Sequence, residues 1–202
     1  MTEKASLDTI AHKNKLVVLA GPTAVGKGTV EAKLFESHPD IWLSVSATTR
    51  DPRPGEVDGV NYYFMTEEEF LAKEKRGEFL ETALVHGMNH YGTPAQPVRE
   101  HLAARIPSML EIDVQGVHKV RARAAELGID PIFVFLAPPS FEELEARLKG
   151  RGTETEEQQK RRLETAKHEL ELQSEFDVII VNDEVERAAA KLWTVFEHAM
   201  GK

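Results

Sequence analysis

The chain has 202 residues, 41% of them hydrophobic and 29% charged, and its 34 Asp and Glu against 25 Lys and Arg leave a formal net charge of −9. That length and apolar content fit one α/β domain with small inserted parts, and they exclude a disordered or collagen-like chain. Cysteine is absent, which excludes a disulfide framework, a thiolate metal site and a cysteine nucleophile, while the acidic balance argues against non-specific binding to duplex nucleic acid.

Residues 1–14 mix Glu3, Lys4, Asp8 and His12 with short apolar steps. They lack the apolar centre of a signal peptide, and no apolar run approaches the roughly 18 residues that would span a bilayer. A flexible N-terminal arm on a cytoplasmic protein is expected. The first predicted element is a buried strand over 15–20, a short β-branched apolar run. A glycine turn leads into a helix over 27–37, stopped near His38-Pro39. Further strands are predicted at 108–112, 132–136 and 178–181, and helices at 96–105, 114–127, 140–149, 155–173 and 185–198. Strands alternating with helices at this spacing predict an α/β fold built on a parallel sheet with helices on both faces.

Two segments interrupt the alternation. Residues 44–93 combine strand-like pieces at 60–65 and 79–85 with a helix that opens on Thr66-Glu67-Glu68-Glu69, the spacing of a capping box. An inserted α+β subdomain is expected there. Gly150-Arg151-Gly152-Thr153 reads as a hinge carrying a mobile flap, followed by the second capping-box spacing, Thr155-Glu156-Glu157-Gln158.

The sequence Gly21-Pro22-Thr23-Ala24-Val25-Gly26-Lys27-Gly28-Thr29 follows the first strand and opens the first helix. It matches the phosphate-binding pattern G-x-x-x-x-G-K in the required strand–turn–helix setting. Glycines let backbone amides curl around phosphate oxygens, the helix N-terminus adds partial positive charge, and Lys27 supplies an ammonium for the β- and γ-phosphates. Gly28 stands where Ser or Thr usually ligates Mg²⁺. The G-K-G-T variant resembles the loops of adenylate kinases, and Mg²⁺ is then expected to be held by nucleotide phosphates and water. Arg50 and Arg53, three residues apart beside two prolines, can fix two guanidinium forks on one phosphate. Glu111 and Asp113 are expected on one face of their strand, at its carboxyl end, where open α/β sheets bind ligands.

The segments 44–56 and 59–62, Glu78-Phe79-Leu80-Glu81, Tyr91-Gly92-Thr93, residues 111–116, residues 151–156 and Ile180-Val181-Asn182-Asp183 resemble the guanylate kinases, in order and over nearly the whole chain. The resemblance implies that Arg50, Arg53, Tyr62 and Tyr91 hold the GMP phosphate. It gives Glu81 the guanine N1–H and N2–H₂ donors and Ser46 the O6 acceptor, with Thr93 and Asp113 completing the base pocket. It implies lid arginines at Arg147, Arg151 and Arg162, with Arg161 beside them. It places Asn182 near the adenine of ATP. Glu111, at the carboxyl end of its strand, is expected to steady the water shell of Mg²⁺. The implied domains are an arm over 1–14, a core over 15–45, 94–146 and 166–202, a GMP-binding subdomain over 46–93 and a lid over 147–165.

The implied reaction is MgATP + GMP → ADP + GDP, with no nucleic-acid polymer or membrane as partner. A phosphate monoester loses its second proton near pH 6, so no general base is needed and His86, His90 and His168 read as surface or packing residues. Two other readings compete. Guanylate-kinase-like domains of scaffold proteins bind protein partners and typically lack an intact phosphate loop, whereas Lys27 and the lid arginines are present here. A related kinase for AMP or a ribose phosphate is opposed by Ser46, Glu81, Thr93 and Asp113.

Overall fold

Five apolar strands pair in parallel to build the main sheet of the computed structural model, which describes residues 14–85, 87–150 and 156–201. The central strand β1 (Leu16–Ala20) lies between β7 (Ser108–Glu111) and β8 (Pro131–Ala137), with β2 (Trp42–Leu43) and β9 (Val178–Val181) at the edges. All five residues of β1 are buried. Alternation sorts them: Val17 and Leu19 join Met109, Val134, Leu136 and Ile180 on one face, while Leu16, Val18 and Ala20 join Leu110, Phe133 and Phe135 on the other. Helices α1 (Lys27–Ser37), α5 (Phe141–Gly150), α6 (Glu156–Glu171) and α7 (Val185–Ala199) cover the first face. Helices α3 (Ala95–Ala103) and α4 (Val114–Leu127) cover the second. Each fully buried Leu or Phe in these layers contributes about 1.5–3 kcal/mol.

Residues between β2 and α3 form a second, mixed sheet in the order β4 (Tyr63–Phe64), β3 (Ala47–Thr48), β6 (Asn89–Pro94), β5 (Phe79–Val85). Its own small core is Ala47, Phe70 and Phe79, with the Phe70 and Phe79 rings stacked at 4.6 Å. Phe70 comes from α2 (Glu67–Lys75), whose capping box forms as expected: Glu69 N–H donates to Thr66 Oγ1 at 3.2 Å and Thr66 N–H to Glu69 Oε2 at 2.9 Å. Leu80 points the other way and enters the main core, which ties this subdomain to the body.

Most predicted elements lie within two residues of the observed ones, and three differences have physical reasons. The strand expected over 60–65 shrinks to Tyr63–Phe64 because 57–61 is a turn. There Asn61 Oδ1 accepts from Val57 N–H, Asp58 Oδ1 accepts from Phe64 N–H, and Gly59 takes φ 75°. Asp113 does not share a strand with Glu111. β7 ends at Glu111, and Asp113 is the N-cap of α4, accepting from Gly116 N–H at 2.6 Å, so the period-two argument fails at that step. The helix expected over 155–173 ends at Glu171 and tightens into a 3₁₀ turn over Leu172–Glu175. Among the described residues no helix is long and apolar enough to cross a membrane.

Candidate functional site: a phosphate cradle beside an arginine–tyrosine–carboxylate pocket

The cradle is the turn between β1 and α1. Gly21 passes so close to β8 that a Cβ there would stand 2.4 Å from Leu136 O. Gly26, the N-cap of α1, takes φ 96°, and a Cβ on it would meet Asn182 Nδ2 at 2.7 Å. These two positions therefore require glycine. No side chain caps α1, and its first turn carries no acid, so no side chain at the start of the helix offsets its partial positive charge. Lys27 Nζ donates to Gly21 O at 2.8 Å and stands 3.9 Å from Glu111 Oε1.

The far side of the cradle is braced through one carbonyl. Val25 O accepts from Asn182 Nδ2 at 2.8 Å and from Arg147 Nη1 at 3.2 Å, while Arg147 Nη2 donates to Asn182 O at 3.0 Å. Asn182 is buried. From α6, Arg162 Nη1 reaches Thr23 Oγ1 at 3.5 Å, and Arg161 pairs with Glu157 at 2.7 Å on the exposed side. Arg151 and the capping position Thr155 lie outside the described residues. Farther along α6, Ala166 is fully buried in the main core.

The second cluster sits on the smaller sheet. Arg50 Nη2 pairs with Glu56 Oε1 at 2.8 Å, its Nε donates to Tyr91 Oη at 3.3 Å, and its Cζ lies 5.4 Å from the Tyr62 ring centroid. Tyr62 and Tyr91 meet edge-on at 5.9 Å. Glu56 Oε2 also accepts from Arg53 N–H at 2.7 Å, so one carboxylate organises both arginine positions. Hydrogen bonds from Arg50 and then from the Arg53 amide hold the Glu56 carboxyl below its ordinary value. Deeper in, Glu81 and Thr93 stand opposite each other on β5 and β6, and Thr93 Oγ1 donates to Glu81 Oε1 at 2.9 Å. Burial raises the Glu81 carboxyl above its ordinary value against the pull of Thr93, and Asp113 raises it further. Ser46 is half-buried beside β3, its carbonyl accepting from Tyr63 N–H at 2.9 Å.

A family model described as guanylate kinase matches residues 13–199. The chain is 68% identical over 190 residues to a guanylate kinase of Bifidobacterium longum, covering 94% of this chain and 97% of that one. It is 54% identical over 175 residues to a guanylate kinase of a Synechococcus strain, covering 87% and 90%. The crystal structure of guanylate kinase from Anaplasma phagocytophilum superposes with a TM-score of 0.69 at 32% identity, over 95% of this chain and 88% of that one.

The chain belongs to the guanylate kinase family. Within this guanylate kinase fold the two clusters meet around the end of β7: Glu111 stands 3.9 Å from Lys27 Nζ, Asp113 caps α4 two residues later, and Lys119 of α4 donates to Thr82 O, next to Glu81 on β5. The histidines stay out of both clusters among the described residues: His90 packs near Phe70 at 5.2 Å, His168 is exposed on α6, and His86 lies outside the described residues.

Three acids of this guanylate kinase were not singled out by sequence reasoning. Glu56 was visible only as part of a motif. Glu169 is nearly buried on α6; burial raises its carboxyl, while Lys27 and a hydrogen bond from the Thr23 amide pull it down. Glu31 is 6% exposed on α1. Its signal was its place between Val30 and Leu34, on the apolar stripe of a helix where an acid is out of pattern. Burial, with Glu111 adding to it, lifts the Glu31 carboxyl from 4.5 to about 8, against the opposing pull of Lys27. A proton held more tightly in the folded chain than in the unfolded one stabilises fully below the unfolded value, and that contribution is lost as pH rises through the folded one. Melting curves across pH are therefore expected to show a decline between about pH 4.5 and 8 that Glu31→Gln flattens. A Glu31→Gln profile parallel to the parent would contradict this.

Proposed function

We propose that this chain transfers the γ-phosphoryl group of MgATP to GMP, giving ADP and GDP, with the transition state stabilised by positioned cations and amides and no general base. The observation that carries the reading is the uncapped α1 N-terminus with Lys27 beside the end of β7, from which Asp113 and α4 lead to the sheet that holds the Arg50–Tyr91 and Glu81–Thr93 pairs. Residues 21–29 cradle the ATP phosphates, and Asn182 lies toward the adenine. Arg50, Arg53, Tyr62 and Tyr91 bind the GMP phosphate. Glu81, Ser46, Thr93 and Asp113 read guanine: a carboxylate accepts from N1–H and N2–H₂, and a hydroxyl donates to O6. AMP has neither donor, so buried acceptors would face one another.

A GMP phosphate oxygen is the nucleophile, already deprotonated above about pH 6. Lys27 and the arginines Arg147, Arg151 and Arg162 spread over the equatorial oxygens and exclude water when the lid over 147–165 closes on the GMP subdomain over 46–93. The remaining segments, 15–45, 94–146 and 166–202, act as the fixed core, with 1–14 as an arm. The site suits a hydrated Mg²⁺. Glu111 is exposed at the end of β7, 3.9 Å from Lys27, and among the described residues no group of three acids or histidines forms a cage of its own. Glu111 would hold the ion through water and the nucleotide phosphates would hold it directly; when bound it neutralises charge on the β- and γ-oxygens.

An acceptor panel tests the reading. GMP is expected to outcompete AMP and UMP by orders of magnitude in ATP-dependent turnover. Preference for AMP or UMP would overturn the acceptor assignment, and tight GMP binding without ADP would favour a binding module. Gly28 supplies a second test, since a Cβ there meets nothing within 4 Å. Gly28→Ser is expected to fold unchanged and to reach half-maximal rate at lower Mg²⁺, because it adds a direct oxygen ligand. An unchanged Mg²⁺ titration would contradict the view that Gly28 leaves the ion to phosphates and water.

A further inference from the structure

The guanine pocket of the reading above is split between two bodies. Asp113 caps α4 in the main domain, while Glu81 and Thr93 face each other on β5 and β6 of the inserted sheet. The spacing of its two acids therefore depends on how β5 is held against α4. β5 is the edge strand of the smaller sheet and packs on that helix, with Leu80 buried in the main core and its neighbour Phe79 in the small one. Apolar burial keeps strand and helix close but is non-directional, so it sets their sliding position only loosely. Two cations act on that position. Lys119 and Arg123 stand on successive turns of one side of α4. Lys119 Nζ donates to Thr82 O at 2.5 Å, next to Glu81, and Arg123 Nη2 donates to Gly77 O at 2.6 Å, just ahead of β5. Both bonds cross from the main domain into the inserted subdomain, to partners 37 and 46 residues away along the chain. The second requires a glycine: Gly77 takes φ 70°, and a Cβ on it would stand 2.8 Å from Arg123 Nη2. The ends are held in turn, since Thr82 Oγ1 donates to Glu74 Oε1 of α2 at 2.5 Å and Arg123 Nη1 pairs with Glu126. Glu81, Thr82, Lys119 and Arg123 line one hollow of about 390 Å³.

We propose that Lys119 and Arg123 are positioning residues for guanine recognition: they clasp β5 to α4 in one register and so fix the spacing of Glu81 and Asp113. The inference deepens the reading above and rests on its assignment of those two acids to guanine. The clasp acts through the backbone of β5 and needs no contact with the nucleotide. Without it β5 shifts along α4 and the base is read less sharply, while ATP, held at the turn before α1, is unaffected.

The test measures kcat/KM for GMP and for AMP, the KM for MgATP and the melting temperature on Lys119→Met, Arg123→Met, the double variant and Lys119→Arg. Methionine keeps the length of the side chain and removes the donor. Each single Met variant is expected to lower the GMP-over-AMP ratio about threefold and the double variant about tenfold, with the KM for MgATP changing less than about twofold. Lys119→Arg keeps a charged donor and is expected to hold the ratio within about twofold of the parent. An unchanged ratio in the double variant would overturn the proposal, including the case in which both acceptors lose kcat/KM equally with a lowered melting temperature. So would a parallel rise in the KM for MgATP, or a Lys119→Arg variant as impaired as Lys119→Met. Should the double variant not fold, the single variants carry the same comparison. Glu81→Gln, measured alongside, separates the two levels: if it lowers the ratio while every clasp variant keeps it, the inference alone fails, and if it keeps the parental ratio, the underlying reading fails.

Discussion

Lys27→Ala is expected to lower kcat by about 10³-fold, the loss seen when one preorganised charge-stabilising donor is removed from a site that excludes water. Lys27 is the first residue of α1, and its ammonium already sits inside the turn, 2.8 Å from Gly21 O. It needs to move little to meet a phosphate oxygen, and alanine leaves the glycine turn and the helix N-terminus in place. GMP affinity, measured by titration calorimetry, is expected to change by less than about threefold, because Arg50, Tyr91, Glu81 and Thr93 lie on the other sheet and rest on separate packing. Loss of GMP binding in parallel with turnover would contradict the division into two sites.

Glu81→Gln is expected to cut GMP preference over AMP by roughly 10²-fold or more, since an amide presents one acceptor oxygen where guanine offers two donors. The ratio of kcat/KM for the two acceptors is the measurement, and an unchanged ratio would remove Glu81 from base recognition. Its environment adds a pH signature. Burial raises the carboxyl, only the ionised form accepts from both nitrogens, and acid therefore weakens GMP binding from a higher pH than an exposed glutamate would allow. The KM for GMP is expected to climb on acidification in the parent and to lose that climb in Glu81→Gln. A flat parental profile down to the ordinary carboxylate range would count against the assignment.

How much of this was legible in the sequence depended on whether the signal was local. β1 and α1 could be read because a β-branched run, two glycines and a lysine each dictate their own backbone. The capping box at Thr66 is equally self-contained. The smaller sheet was not legible in detail. Its strands β3 and β4 are two residues each and exist only through partners far along the chain, such as Thr48 opposite Tyr91. Asp113 was misplaced because an alternation rule was run past the strand's end into a helix cap.

The candidate site divides the same way. Arg50, Tyr62, Tyr91, Glu81 and Thr93 were named from motifs, and the structure brings them together. Arg147 was expected to serve a lid, and its guanidinium holds Val25 O and Asn182 O behind the cradle. Glu31 and Glu169 escaped notice because their importance lies in burial near Lys27, which only packing creates.

The central claim is direct transfer of one phosphoryl group between two nucleotides held side by side. ATP labelled in its γ-phosphate, incubated with GMP, Mg²⁺ and the intact chain, tests it most directly. The label is expected to appear in the β-phosphate of GDP, in amounts equal to the ADP formed and dependent on GMP. Label released as orthophosphate, or carried to another acceptor in preference to GMP, would contradict the account.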